Sequence, residues 1–155
     1  MKKILLLSFF TSIVFAQIPT TNLSLWLRAD AGVTTSGNVV TAWVDQSPNN
    51  ITMTRFGSTI LIPNTINGLP AIRFPNTGNY FNTSNAAVTN LTNITYFAVG
   101  KFANTASDMF YKDAQYGLYI NSASTARFYT RNPGSNELIY TNAGLVNNNF
   151  IYSGR

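Results

Sequence analysis

The chain has 155 residues, of which 45% are hydrophobic, 14% are aromatic and only 10% are charged. Its eleven phenylalanines, eight tyrosines and two tryptophans exclude a disordered chain, because disorder goes with few aromatic residues and many charges. The sequence contains neither cysteine nor histidine. This excludes disulfides, thiolate metal sites, and the catalytic triads and zinc sites that use histidine.

Residues 1–16 have the pattern of a secretory signal peptide, in which a basic start and an apolar stretch precede a small residue. Lys2 and Lys3 form the basic start, residues 4–15 are mostly apolar, and Ala16 is the small residue. The apolar stretch is shorter than the roughly 20 residues of a membrane-spanning helix. We therefore expect cleavage after Ala16, one domain over residues 17–155 without a transmembrane segment, and a secreted or cell-surface location.

The net charge does not indicate a nucleic-acid partner. The whole chain carries a formal charge of +5, which falls to +3 once Lys2 and Lys3 are removed. Domains that bind nucleic acids concentrate a stronger basic charge on one face or along one element. We therefore predict no nucleic-acid partner.

From residue 17 onward, apolar and polar residues alternate in short runs, as in half-buried β-strands. In chain order, strands are predicted at residues 23–30, 38–45, 58–62, 71–74, 94–102, 116–120, 126–131, 137–141 and 150–153. Turns are predicted at residues 36–38, 47–50, 67–68, 76–79 and 132–135, and one helical turn at residues 86–91. Many short strands joined by such turns predict an all-β antiparallel sandwich or barrel.

The strand predicted at residues 94–102 is apolar on both faces. Phe97 and Val99 occupy one face, and Tyr96 and Ala98 lie among the apolar residues of the other. A strand of this kind is typical of the middle of a sheet that is covered on both sides.

Four segments, taken in order, resemble the opening half of the laminin-G-like domains of secreted bacterial proteins, which belong to the concanavalin A-like superfamily. They are LWLRADAGV at residues 25–33, WVDQS at 43–47, NGLPAIRF at 67–74 and YFAVGKF at 96–102. The resemblance covers about residues 23–152. It implies a two-sheet antiparallel jelly-roll sandwich that binds carbohydrate or protein at cell surfaces, commonly as one module of a larger exported protein.

The resemblance fails at the C-terminal end. Laminin-G-like domains usually continue with several more strands beyond the one that residues 150–152 open. We therefore expect a jelly roll that is incomplete at its C-terminal end, and a chain that is part of a larger multidomain protein.

The acidic residues do not form a catalytic pattern. They are Asp30, Asp45, Asp108, Asp113 and Glu137. Glycoside hydrolysis normally needs two carboxyl groups on either side of the bond. The glucanases of the superfamily carry two Glu and one Asp at alternating positions of one strand, and no such run occurs here. We therefore predict a protein without catalytic residues.

Asp45 stands before the turn at residues 47–50, where its carboxylate can accept hydrogen bonds from backbone N–H groups two residues on. The alternative is a calcium site formed by Asp45, Asn49 and Asn50, since calcium binds carboxylate and amide oxygens. Asp30, at the end of the first predicted strand, is likewise either an acceptor for backbone N–H groups in a turn or a calcium ligand. Calcium is the one cofactor that the sequence suggests.

Aromatic and amide side chains are the candidates for binding a sugar. Trp26 and Trp43 are predicted to pack in the core. The candidate ligand-binding residues are Tyr80, Tyr111, Tyr116, Tyr119 and Tyr129, with Asn79, Asn82, Asn121 and Asn132 near them. The alternative interpretation of the tyrosines is ordinary packing on a sheet.

These patterns predict an exported, non-catalytic binding module for polysaccharide or glycoprotein. One alternative is a structural or adhesive spacer domain of a large surface protein. Another is an accessory domain of a glycoside hydrolase whose catalytic part lies beyond residue 155.

Overall fold

A computed structural model describes residues 18–91, 93–104, 107–112, 116–123, 125–131, 135–141, 144 and 146–154. The predicted signal peptide, Asp113 and Asn132 lie outside these ranges. The side chains of Asp108, Asn121 and Glu137 also lie outside the description.

The described residues form twelve short strands and one helix of a single turn. The strands are β1 (Val33–Ser36), β2 (Val39–Val44), β3 (Thr52–Phe56), β4 (Ile60–Ile66), β5 (Leu69–Arg73), β6 (Tyr80–Asn82), β7 (Tyr96–Lys101), β8 (Ser107–Lys112), β9 (Tyr116–Ser122), β10 (Thr125–Arg131), β11 (Ser135–Thr141) and β12 (Asn149–Gly154). The helix α1 (Ala86–Thr89) follows β6, and the Asn85 side chain caps it by accepting a hydrogen bond from the Ala87 N–H at 2.9 Å. None of the helical structure described is long and apolar enough to cross a membrane.

The predicted all-β antiparallel class is confirmed. One sheet has the order β5-β4-β2-β3-β6, with β1 also paired to β2. A second sheet has the order β11-β10-β9-β8, and β12 pairs with β7 in a two-stranded ribbon. Every strand pair in these sheets is antiparallel.

The predicted Asn67-Gly68 turn joins β4 to β5. Both residues have positive φ, at 51° and 78°. A two-residue hairpin turn of type I′ requires this combination, and Asn followed by Gly adopts it with the least strain. Local sequence therefore sets the pairing of Ile66 with Leu69 beside the turn, and an irregularity between Ile62 and Ile66 shifts the register of the rest of the hairpin.

One cluster of buried residues lies between the four-stranded sheet and the β7–β12 ribbon. Phe102, Ile120 and Ala126 are buried together, and Phe150 stacks on Phe102 with ring centroids 4.8 Å apart. The Tyr96 ring on β7 contacts two further rings, those of Phe110 and Phe128, at 4.9 and 4.6 Å. Alternate residues of the ribbon thus face the four-stranded sheet, as strand geometry requires.

The predicted strand at residues 23–30 is wrong. The Trp26 N–H is bonded to the Asp45 carboxylate at 2.6 Å instead of to a strand carbonyl, and Arg28 bridges to Ala31 across a tight turn. Four strands were not predicted, namely β1, β3, β6 and β8.

The apolar faces of β7 predicted that both sides of this strand are covered, and that prediction is wrong. It lies in a two-stranded ribbon, and 79% of Phe97 is exposed. Val99 pairs with Ile151 across the ribbon, and Ile151 is 76% exposed. The outward face of the ribbon is therefore open within the described part of the chain, and Phe97, Val99 and Ile151 make half of it apolar.

Candidate functional site

Five exposed side chains lie on one face of the β3–β6 pair. Residues that alternate along β3 point to the same side, and the register places Asn82 opposite Thr54 and Tyr80 opposite Phe56. We call this set the β3–β6 face, and its members are Thr52, Thr54, Phe56, Tyr80 and Asn82. The other side of the same strands is directed inward, because Met53 is buried and Phe81 packs edge-on against the Trp43 ring at 5.5 Å.

Phe56 and Tyr80 form a stacked aromatic pair at the end of the β3–β6 face. Their ring centroids are 4.6 Å apart and the ring planes differ by 12°. The pair stays open to solvent, with 41% of Phe56 and 45% of Tyr80 exposed. Phe56 therefore covers one face of the Tyr80 ring and fixes its orientation, while much of the tyrosine stays accessible.

The loops beside the stacked pair are held together by Asn79, which immediately precedes Tyr80. Its Oδ1 accepts a hydrogen bond from the Ser58 N–H at 2.6 Å, and its Nδ2 donates to the Asn76 carbonyl at 3.1 Å. Gly57 follows Phe56 with a φ of +67°, and a Cβ there would collide with the Asn79 side chain. Asn79, predicted as a sugar ligand, thus uses its amide within the protein to position the aromatic pair.

We expect Asn79→Ala to lower the free energy of unfolding by about 0.5–1.5 kcal/mol, because the exposed Ser58 N–H exchanges the Asn79 Oδ1 for water. Near-ultraviolet circular dichroism should also weaken if the stacked pair loses its fixed geometry. Urea denaturation measures the first effect. Asn76→Ala is the control, since it keeps the backbone carbonyl that Asn79 uses, and equal losses in the two variants would contradict the role given to Asn79.

The rest of the β3–β6 face supplies neutral polar groups. The Asn82 Oδ1 accepts a hydrogen bond from the Thr83 N–H at 2.7 Å, and no described residue accepts a bond from its Nδ2. The hydroxyls of Thr52 and Thr54 are likewise not bonded to any described residue. Arg55 is the one charged residue of these two strands, and strand alternation places it on the opposite face.

Three other predicted tyrosines share a face of the four-stranded sheet. The register places Tyr111 opposite Gly117 and Gly117 opposite Tyr129, while Tyr119 lies on the same side of β9. The Tyr129 ring lies over Gly117, where a Cβ would be only 2.6 Å from the phenolic oxygen. Tyr129 therefore covers the glycine, and Tyr111, at the outer strand β8, is the most exposed member of this group.

Tyr116 is on the opposite side of β9, in the protein interior. It is buried, and its hydroxyl donates a hydrogen bond to the Val88 carbonyl at 2.9 Å. Burial raises the pKa of its phenol. The structure thus groups Tyr111, Tyr119 and Tyr129, places Tyr80 on the first sheet, and ties Tyr116 to the helix.

Asp45 is the most connected acidic residue among those described, and only 1% of it is exposed. Its Oδ1 accepts hydrogen bonds from the N–H groups of Trp26, at 2.6 Å, and Ser47, at 2.9 Å. The Ser47 hydroxyl donates to its Oδ2. The bond to the N–H two residues on forms the predicted turn.

The alternative calcium site would use the same carboxylate. The Asn49 Nδ2 donates to the Ser24 carbonyl at 2.9 Å, and Asn50 is exposed with a φ of +48°. A cation would have to replace the three donors that now surround Asp45. In the described ranges, no cluster of three or more acidic, histidine or cysteine residues is present. Calcium binding stays a prediction.

Asp30 forms a two-pronged ion pair with Arg28 at the surface. The Arg28 Nε and Nη2 lie 2.9 and 2.6 Å from the two carboxylate oxygens, and the guanidinium sits over the Trp26 ring at 5.1 Å. The hydrogen bonds lower the pKa of Asp30 and raise that of Arg28. Asp30 also borders an open depression of about 320 Å³ between residues 29–33 and the strands β4 and β5.

The lowered pKa of Asp30 makes a small contribution to stability that depends on pH. The contribution is present above the pKa of the unfolded chain and is lost as the pH falls through the lower pKa of the folded state. Because both side chains are partly exposed, we expect Asp30→Asn to cost less than about 1 kcal/mol at neutral pH. The difference between the variant and the original chain should vanish in strong acid. Urea denaturation across this pH range checks the prediction, and a difference that grows on acidification would contradict it.

Phe56, Thr52 and Thr54 were not predicted as site residues, because residues 52–56 were not predicted as a strand. The signal was present in the alternation of Thr52, Thr54 and Phe56 with Met53 and Arg55.

The laminin-G-like resemblance rests on the four sequence segments described above. No family model, no curated protein and no solved structure matches the chain.

Proposed function

We propose that this protein is a non-catalytic carbohydrate-binding module and that its binding surface is the β3–β6 face. The observation that carries the proposal is the exposed Phe56–Tyr80 stack beside the free amide and hydroxyl groups of Asn82 and Thr54. A pyranose ring has an apolar C–H face and a rim of hydroxyls. The stack offers an apolar surface for the first, and the neighbouring groups offer hydrogen bonds to the second.

The rigidity of this surface favours binding. Phe56 orients the Tyr80 ring, and Asn79 holds the two adjoining loops, so little side-chain entropy is left to lose when a ligand binds. The contact area is small, and sugar hydroxyls exchange hydrogen bonds with water for hydrogen bonds with protein. We therefore expect weak binding to one sugar unit and stronger binding where several units or several modules act together.

The same proposal includes a jelly-roll sandwich in an exported protein. The antiparallel sheets of short strands, the four resembling segments and the pattern of residues 1–16 support it. Such a module would hold its parent protein on a polysaccharide or glycoprotein outside the cell. The spacer alternative predicts no glycan binding at all. The hydrolase alternative predicts glycan binding that serves a separate catalytic domain.

Pull-down on insoluble polysaccharides, followed by a glycan array, tests the proposal. We expect retention on at least one glycan and a loss of tenfold or more, about 1.4 kcal/mol, in Tyr80→Ala. Tyr80→Phe keeps the ring and should bind almost as well, which separates loss of the ring from loss of the fold.

Tyr111→Ala is the matched control, because it removes another exposed strand tyrosine from a different sheet. It should bind like the original chain. Absence of retention on every glycan would overturn the proposed function. Retention that is lost in Tyr111→Ala and kept in Tyr80→Ala would overturn the assignment of the surface.

A further inference from the structure

We infer that the β3–β6 face binds interior stretches of a neutral polysaccharide, in preference to anionic chains and to chain ends. This inference rests on the proposed function and names the ligand class of the same surface. Three features carry it, namely the absence of charge on the face, its elongated shape and its position at the border of the sheet.

None of the five side chains of the β3–β6 face carries a charge at neutral pH. A sugar carboxylate or sulfate placed on this face would lose water without gaining a cation or a set of N–H donors, which is unfavourable. Asn82 offers one free donor group, and Thr52 and Thr54 offer hydroxyls that both donate and accept. This set matches sugar hydroxyls and gives no specific partner to an anion.

The face is long in one direction. Thr52, Thr54 and Phe56 follow one another along β3 at two-residue spacing, so the row spans about 13 Å. The stack lies at one end of this row, and Asn82 lies beside its middle. A ligand that uses the whole row must extend over more than one sugar unit, with one ring on the aromatic pair and the next beside the hydroxyls.

The face is open to solvent and lies at the border of its sheet. Small-molecule sites that recognise one unit or a terminus are usually concave and enclose the ligand. Here β6 is the last strand of the sheet, and all five side chains stand exposed on the strand surface. Beyond the two ends of the row, Asn50 on one side and Gly57 and Ser58 on the other are exposed as well, so an extended chain can continue past both ends.

Affinity gel electrophoresis with two polymers of one backbone tests the charge preference. The retardation of the protein in each gel gives a dissociation constant for the polymer. We expect this constant to be at least tenfold lower for hydroxyethylcellulose, which is neutral, than for carboxymethylcellulose, which is anionic. A starch and carboxymethyl-starch pair repeats the comparison on a second backbone. The formal charge of +5 attracts the protein to anionic polymers without specificity, so the gels contain enough salt to screen it.

Titration with oligosaccharides of two and six units from the backbone that binds tests the length preference. We expect the hexasaccharide to bind at least tenfold more tightly than the disaccharide, and Tyr80→Ala to remove this advantage. Binding that depends on Tyr80 but is as strong for the carboxymethylated polymers, or for the disaccharide, would overturn the inference and leave the proposed function standing. Absence of Tyr80-dependent binding to any polymer would overturn both.

Discussion

Replacement of Asp45 by alanine is expected to lower the free energy of unfolding by about 3–5 kcal/mol. The buried carboxylate accepts hydrogen bonds from the Trp26 N–H and from both the N–H and the hydroxyl of Ser47. Alanine would leave the two N–H groups without an acceptor, at a cost of about 1–3 kcal/mol for each buried group. The Ser47 hydroxyl would keep only the Ser24 carbonyl, at 3.4 Å. Since small domains are stable by about 5–15 kcal/mol, the variant should be close to unfolding.

Urea denaturation monitored by tryptophan fluorescence measures this effect. Asp45→Asn keeps one acceptor oxygen and should lose less stability than Asp45→Ala. Asp30→Ala is the matched control, since it removes the other described aspartate near Trp26 from a partly exposed ion pair. A loss below about 1 kcal/mol in Asp45→Ala, no larger than that of the control, would contradict the role of Asp45 as the buried acceptor for Trp26 and Ser47.

The second large effect is expected for Gly32→Ala, with a loss of about 3–5 kcal/mol. Gly32 has a φ of +72°, and its carbonyl accepts a hydrogen bond from the Val44 N–H at 2.8 Å. A Cβ on Gly32 would collide with the Val44 carbonyl oxygen and with the Gln46 Nε2. The backbone would have to separate from β2, and the Gln46 bond to the Val44 carbonyl would be strained as well.

Gly37 provides the control for the backbone conformation alone. It also has positive φ, at +59°, but a Cβ there meets no atom within 4 Å. Gly37→Ala should therefore cost only the strain of a left-handed residue, about 1–2 kcal/mol. Thermal or urea denaturation of both variants compares the two costs. Equal losses would show that the contact with Val44 has no effect of its own.

The sequence predicted the elements whose local pattern agrees with their pairing. The turn at Asn67-Gly68 needs positive φ at both positions, and these two residue types favour it. The strands β2 and β10 lie within one residue of their predicted limits. The helical turn at residues 86–91 was predicted as well, and the Asn85 cap fixes its start.

The predictions of strands fail where hydrogen bonds to residues far away in the chain override the local pattern. Residues 23–30 alternate like a strand, but the Trp26 N–H is bonded to a carboxylate 19 residues away. The candidate site was predicted in part, because Tyr80 and Asn82 lie on the proposed face while its partner Phe56 was not recognised. Tyr116 lies on the same side of β9 as Leu118 and Ile120, and all three are buried. This alternation was present in residues 116–120 and could have separated Tyr116 from the exposed candidates.

The β7–β12 ribbon has a consequence for the order of folding. It joins residues 96–101 to residues 149–154, and the strands β8 to β11 lie between them in the chain as successive neighbours. Pairs of sequence neighbours close short loops and form early, whereas the ribbon must close a loop of about 50 residues, at a greater entropic cost. We therefore expect the β8–β11 sheet to form first and to act as the template on which β7 and β12 meet. During synthesis, β7 would therefore stay unpaired until residues 149–154 had left the ribosome.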